Sequence, residues 1–301
     1  MLNLKRIEFA LTLDNLRNFE KTEKMIGIFD SGLGGLSVFR EIVKLLPDAN
    51  YIYWSDDAHC PYGEKTQEYI TDRARKISEF MIQEGADIVV VACNTATAAA
   101  IETLRAEFSN PENKETRQKM MFLSDGRIDH IRFIGMEPAV KPAIELTHTG
   151  VIGVLATVGT LNADKYKHTK ALADGKVRVV EHIGQGFVEL VESGRISGPQ
   201  VDETVKRSLR PLLDAGADTI VLGCTHYPFL LSSIRKIAGD GIAIIDPAPA
   251  VAKHLVEVLK EENLLEKIKS DGHKTVRLYS SSGNNSKITD FYTNNILKQS
   301  F

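Results

Sequence analysis

Two stretches of this chain are built to one plan. Gly85-Ala86-Asp87 leads through an apolar run at 88–92 to Cys93, and Gly216-Ala217-Asp218 leads through residues 219–223 to Cys224, with identical spacing. Upstream of each lies a second matched pair, IGIFDSGLGGL from Ile26 and IGVLATVGTL from Ile152, both apolar runs entering a glycine-bearing turn. Such internal self-similarity reads as two related βαβ halves. Short β-branched runs alternating with helical patterns argue for a parallel α/β architecture.

The rest of the chain fits that architecture. A strand is expected at 25–29, then a Gly-rich turn, a helix at 36–46 and a strand at 51–54. A helix at about 67–83 and a buried strand at 88–92 follow. Residues 110–131 are polar and charge-mixed, break the rhythm and read as a surface insertion, while the polar-amphipathic segment 1–24 reads as an appendage. After the second half come IAIIDPA, a helix at about 251–262 and a final strand, VRLYSSSG.

At 301 residues, length favours two domains. Hydrophobic residues at 43% and charged residues at 26% give the balance of a soluble globular protein rather than a disordered one. The net charge of -3 supplies no basic field for phosphate backbones, which argues against nucleic acid as a partner. No apolar run nears the ~20 residues that span a bilayer. Three cysteines with no C-x-x-C pair suggest neither a disulfide framework nor structural zinc. A cytoplasmic protein that needs no membrane is expected.

In open α/β sheets, ligands bind beyond the carboxyl ends of the strands, where both Cys93 and Cys224 fall. If a pseudo-two-fold axis relates the halves, the thiols approach one cleft from opposite sides. Inverting an α-carbon without a cofactor needs that geometry, with a base removing a proton from one face and an acid returning one to the other. Cysteine, with an ordinary pKa of about 8.5, needs only modest tuning to act as a base near neutral pH. A cysteine ending a buried strand is ordinarily a small core residue; duplication at equal spacing singles out this pair. Cys93 precedes a helix starting near Ala96, whose N-terminus favours a thiolate. His226, two residues from Cys224, is a candidate proton relay, and Asp30 is placed to orient or polarise a group near Cys93. Asn94, Thr95, Thr225 and His226 offer hydrogen bonds to an amino acid's carboxylate and amine, although such residues at strand ends are caps about as often.

The loop at 30–35, DSGLGG, follows a strand and opens a helix, so its amides are expected to receive an anion; a tight turn is the plainer reading. A dinucleotide fingerprint is matched only weakly, through Gly32, Gly34 and Ser37 with Asp56 and Asp57 for a ribose. Pro61-Tyr62-Gly63 reads as a turn. Cys60 has no counterpart in the repeat and is given no role, and Glu192 on a helix face would ordinarily be a solvated carboxylate.

Six motifs in order, GIFDSGLGGLSV, PYG, VVACNTATA, GMEPAVKPA, GVLATVGT and VLGCTHYP, resemble bacterial glutamate racemase, and the resemblance runs from Met25 to about Gly283. It implies two pseudo-symmetric α/β domains with parallel-rich sheets and the active site between them. The first domain would comprise 25–136 plus 246–301 and the second 137–245, after an extension at 1–24. It implies interconversion of L- and D-glutamate without pyridoxal phosphate, metal or other cofactor, supplying D-glutamate for peptidoglycan. By that likeness Cys93 acts on D-glutamate and Cys224 on L-glutamate, assisted by Asp30, His226 and, by a looser match, Glu192. Asp30, Ser31, Tyr62, Gly63, Asn94, Thr95, Thr225 and His226 would bind substrate. The segment before Met25 is longer than the compact family pattern and the insertion at 110–131 is unusual. A long leader resembles that of members regulated by a cell-wall precursor, and a homodimer is common among relatives.

Three other readings compete. A racemase for aspartate or another acidic amino acid would share the two thiols, because one methylene discriminates by only about 1–3 kcal/mol. A Cys-His acyl-transfer enzyme would use Cys224 and His226 and leave Cys93 dispensable. A non-catalytic binding protein would keep the cleft and exchange no α-proton.

Overall fold

The computed structural model describes residues 24–268 and 274–297. Among the described residues, nine strands are arranged in two parallel sheets: β1 (Met25–Asp30), β2 (Asn50–Ser55), β3 (Ala86–Val91), β4 (Arg132–Ile134) and β9 (Val276–Ser280) in the first, and β5 (Val151–Ala156), β6 (Arg178–Ile183), β7 (Thr219–Gly223) and β8 (Ala243–Ile245) in the second. The strand orders are β4-β3-β1-β2-β9 and β6-β5-β7-β8. Reversing the second gives β8-β7-β5-β6, so each strand of the first half has a counterpart four places later, with β9 added at one edge. This is the repeat expressed as topology, and the α/β architecture expected from the sequence is what the chain adopts.

The matched Gly-Ala-Asp tripeptides have a backbone reason. Gly85 and Gly216 both sit at positive φ, 105° and 85°, where a side chain would be strained. Each aspartate then fastens the segment that leads into its half's first strand. Asp87 accepts from the Met25 amide at 3.0 Å and from Lys24 at 2.9 Å. Asp218 accepts from the amides of His148 and Thr149 at 2.6 and 2.8 Å and from Thr147 Oγ1 at 2.6 Å.

Every residue of β1, β3 and β7 is buried, as strands covered by helices on both faces must be. Thr66 caps the helix Gln67–Gln83 by accepting from the Tyr69 amide. The helix Leu36–Leu45 packs on Ala248–Glu261, and Tyr292 stacks on Phe39 with ring centroids 5.5 Å apart, so the chain from residue 248 onward returns to the first sheet. One buried apolar cluster joins Ile26, Ile28 and Tyr53 of the first sheet to Leu155, Ile220 and Leu222 of the second.

The segment 110–131 holds more order than a polar insertion implies. Asn113 caps the helix Lys114–Leu123 through the amides of Glu115 and Thr116, Met120 is buried, and the Lys119 ammonium lies 3.9 Å from the Phe108 ring centroid. Phe122 projects outward at 82% exposure. The appendage at 1–24 lies, apart from Lys24, outside the described residues.

Candidate active site

Both cysteines stand just beyond central strands. Cys93 follows β3 in extended conformation and caps the helix Asn94–Phe108, its Sγ accepting from the Ala96 amide at 3.4 Å. The Ser31 hydroxyl lies 3.9 Å from that sulfur. Asp30, the fully buried last residue of β1, interacts with the same thiol. Burial, and then the Asp30 charge, push the Cys93 thiol well above its usual range, against the helix-end amide that lowers it. The thiolate expected at this helix N-terminus is therefore not the favoured form, because the desolvation and the neighbouring carboxylate outweigh the dipole. Burial also raises the Asp30 carboxyl above its ordinary value, with His226 and the Gly35 and Gly32 amides opposing.

The loop 30–35 does receive an anion, but the protein supplies it. Gly32 and Gly35 donate their amides to Asp30 Oδ2 at 3.1 and 3.0 Å, and Leu33 donates to Glu192 Oε1 at 2.6 Å. Those donors are thus committed, which corrects the expectation of an open anion site. Asp56 is likewise taken by Arg73 and Tyr62, and Asp57 by Ser280, Ser281 and Ser282, so neither stands ready for a ribose.

Cys224 follows β7, with its Sγ 3.7 Å from His226 Nδ1. The other ring nitrogen, Nε2, lies 2.8 Å from Glu192 Oε1. Glu192 ends the helix Phe187–Glu192, and its second oxygen accepts from Lys287 Nζ at 2.8 Å. Burial alone would raise the Glu192 carboxyl, but His226, Lys287 and the Leu33 amide hold it at about 2. Burial would likewise strip His226 of its proton, yet contacts with Cys224, Cys60 and Glu192 raise it well above the usual histidine range. An imidazolium thus bridges a carboxylate and the Cys224 sulfur. Glu192 is no solvated surface acid.

Cys93, Cys224, Ser31, Asn94 and His226 line one cavity, joined by Tyr62, Gly63, Thr95 and Thr225. Asp30 and Glu192 do not line it; they stand behind Cys93 and His226. The Tyr62 hydroxyl is committed to Asp56 at 2.5 Å. Both side-chain polar atoms of Asn94 are buried and find no partner among the described residues, which marks them as groups awaiting a ligand. Thr95 Oγ1 meets Thr157 Oγ1 at 3.0 Å and Thr160 Oγ1 at 3.3 Å, linking the two halves at the rim.

Three residues near the site escaped sequence reasoning. Thr157 lines the cavity, and the repeat could have found it, since IGVLAT set on IGIFDS puts Thr157 opposite Ser31. Val188 also lines the cavity and carried no signal. Cys60 lies on the loop before Pro61, half-buried, close to His226 and Glu192.

Comparison with known proteins gives the family. A glutamate racemase of Methylococcus capsulatus is 44% identical over 261 residues, covering 87% of this chain and 88% of that protein. The chain belongs to the glutamate racemase family. It is an isomerase of that family, with no place for the non-catalytic reading. A crystal structure of a glutamate racemase isoform from Bacillus anthracis superposes with a TM-score of 0.72 at 30% identity, covering 91% of this chain and 94% of that one. The Escherichia coli glutamate racemase, solved with L-glutamate and the activator UDP-MurNAc-ala, gives a TM-score of 0.72 at 29% identity over 90% of this chain and 95% of that one. The Asp/Glu/Hydantoin racemase family profile matches residues 129–255. Among the described residues no helix is long and apolar enough to cross a membrane.

Proposed function

We propose that this racemase interconverts L- and D-glutamate by a two-base mechanism in which Cys93 and Cys224 serve opposite faces of the α-carbon. One observation carries the reading: two sulfurs share a cavity, and each has a different acid-base partner behind it, Asp30 for Cys93 and His226 for Cys224. From L-glutamate, Cys224 acts as a thiolate held against the His226 imidazolium and takes the α-proton, while the Cys93 thiol protonates the opposite face. From D-glutamate, Asp30, whose raised pKa makes it a stronger base, relieves Cys93 of its proton and the roles reverse. Asn94, Thr95, Thr225 and Ser31 hold the substrate's carboxylates and amine, and no cofactor or metal takes part.

As it stands, the cavity is narrow, with room for about one water. Substrate entry therefore requires the residues lining the cavity to move apart.

The Cys224, His226 and Glu192 line also has the spacing of a nucleophile, base and orienter. That acyl-transfer reading leaves Cys93 without a role, and the racemase reading uses it. Incubating each glutamate enantiomer with the protein in deuterated water separates them. Deuterium at Cα with loss of optical rotation supports the racemase, and replacing either cysteine by serine then lowers racemisation by at least ~10²-fold. Full racemisation by Cys93→Ala would overturn it, and preference for aspartate in a substrate panel would overturn the choice of glutamate.

The same reading takes 25–136 with 246–301 as one domain and 137–245 as the other, in a cytoplasmic homodimer that supplies D-glutamate to peptidoglycan. The activator bound to the Escherichia coli relative supports a cell-wall precursor as effector.

A further inference from the structure

The half-buried loop cysteine left over by the repeat is not isolated. Cys60 Sγ, a ring nitrogen of His226 and a carboxylate oxygen of Glu192 all lie within 4.8 Å of one another. We propose that Cys60, His226 and Glu192 form a binding site for a borderline-soft divalent cation, zinc foremost, whose occupancy stops racemisation by taking the histidine that serves Cys224. The proposal rests on the relay role given to His226 above.

The donor set is one thiolate sulfur, one imidazole nitrogen and one carboxylate oxygen, the mixture zinc accepts and magnesium or calcium does not. Tetrahedral zinc, with bonds of about 2.3 Å to sulfur and about 2.0–2.1 Å to nitrogen, sets neighbouring donors roughly 3.4–3.6 Å apart. Small side-chain movements bring the trio to that spacing. Three protein donors leave a fourth position for water, which is the pattern of an exchangeable site.

The surroundings keep the space open and the carboxylate aimed. Donors converge over Gly32, where a Cβ would fall 2.0 Å from Glu192 Oε1 and 3.2 Å from Cys60 Sγ, so any larger residue there would fill the site. Lys287 on Oε2 and the Leu33 amide on Oε1 fix the carboxylate from behind, as outer partners of metal ligands do. Binding would release the Cys60 thiol proton and the imidazole proton to solvent. Held by the cation, His226 can no longer exchange a proton with Cys224.

Cobalt(II) is the probe. In protein carrying Cys93→Ala and Cys224→Ala, added Co²⁺ should give a thiolate-to-cobalt charge-transfer band, and a further Cys60→Ala should abolish it. In the otherwise native chain, zinc should inhibit racemisation reversibly with a chelator. Cys60→Ala should keep measurable racemisation while the inhibitory zinc concentration rises more than about 100-fold, beyond the 10- to 100-fold typical of losing an outer-shell partner. Absence of the charge-transfer band in the double variant, or unchanged zinc sensitivity in Cys60→Ala, would overturn the proposal. The spectroscopic arm needs no turnover, so a failure of the racemase reading is told apart from a failure of the site.

Discussion

His226 Nε2 sits 2.8 Å from Glu192 Oε1, so the imidazole that meets the Cys224 sulfur through Nδ1 is gripped from its far side by a buried carboxylate. Glu192 is one of the groups that keep His226 protonated. In Glu192→Gln the histidine pKa drops, and the alkaline limb of the pH–rate profile should move to lower pH. Loss of one charge-assisted hydrogen bond should lower kcat about 10- to 100-fold. An unshifted limb would show that Glu192 only fills space.

Gly34 lies under the same histidine, since a Cβ there would fall 2.3 Å from His226 Nδ1 and 2.6 Å from Thr225 Oγ1. Gly34→Ala should therefore displace the relay and abolish most activity while the protein still folds. Gly241→Ala, whose Cβ would meet nothing within 4 Å, is the matched control and should keep wild-type kcat/KM.

Asn94 buries an amide with no partner among the described residues, a cost to the fold retained for a ligand. Asn94→Leu should raise the thermal midpoint or leave it unchanged while kcat/KM falls about tenfold or more, the worth of a hydrogen bond to a charged substrate. A loss of stability parallel to the loss of activity would mean the amide serves the fold instead.

Asp218 carries an acid-dependent part of the stability. Its carboxyl, which burial would raise, is held down at about 2 by Thr147, Thr149, His148 and Thr219. A depressed folded-state pKa stabilises the protein above the unfolded value of 3.8 and is lost as pH falls toward about 2. Asp218→Asn should lower stability at neutral pH by about 1 kcal/mol, since the group is only partly buried, or about 2 °C in Tm. The two proteins should converge near the acid end, as thermal melts across pH will show.

What sequence could reveal tracks what is local. The repeat, the two cysteines and His226 were legible because the strand-to-turn register carries them, and the strand order β8-β7-β5-β6 restates the pattern seen in Gly-Ala-Asp. Cys93's protonation was not, because it depends on burial and on Asp30, 63 residues away on a neighbouring strand. The loop DSGLGG departs from its sequence expectation for a similar reason: one of its amides meets a carboxylate from Glu192, 159 residues on from Leu33. Glu192 and Cys60 likewise acquire meaning only through contacts between distant segments, which helix and strand periodicity cannot encode.

The closing edge strand β9, paired with β2 across a long stretch of chain, makes the two sheets unequal during synthesis. The second has all its strands once residue 245 has emerged and can assemble without waiting. The first keeps the flank of β2 bare until residues 276–280 follow, so that edge stays open to wrong pairing until then.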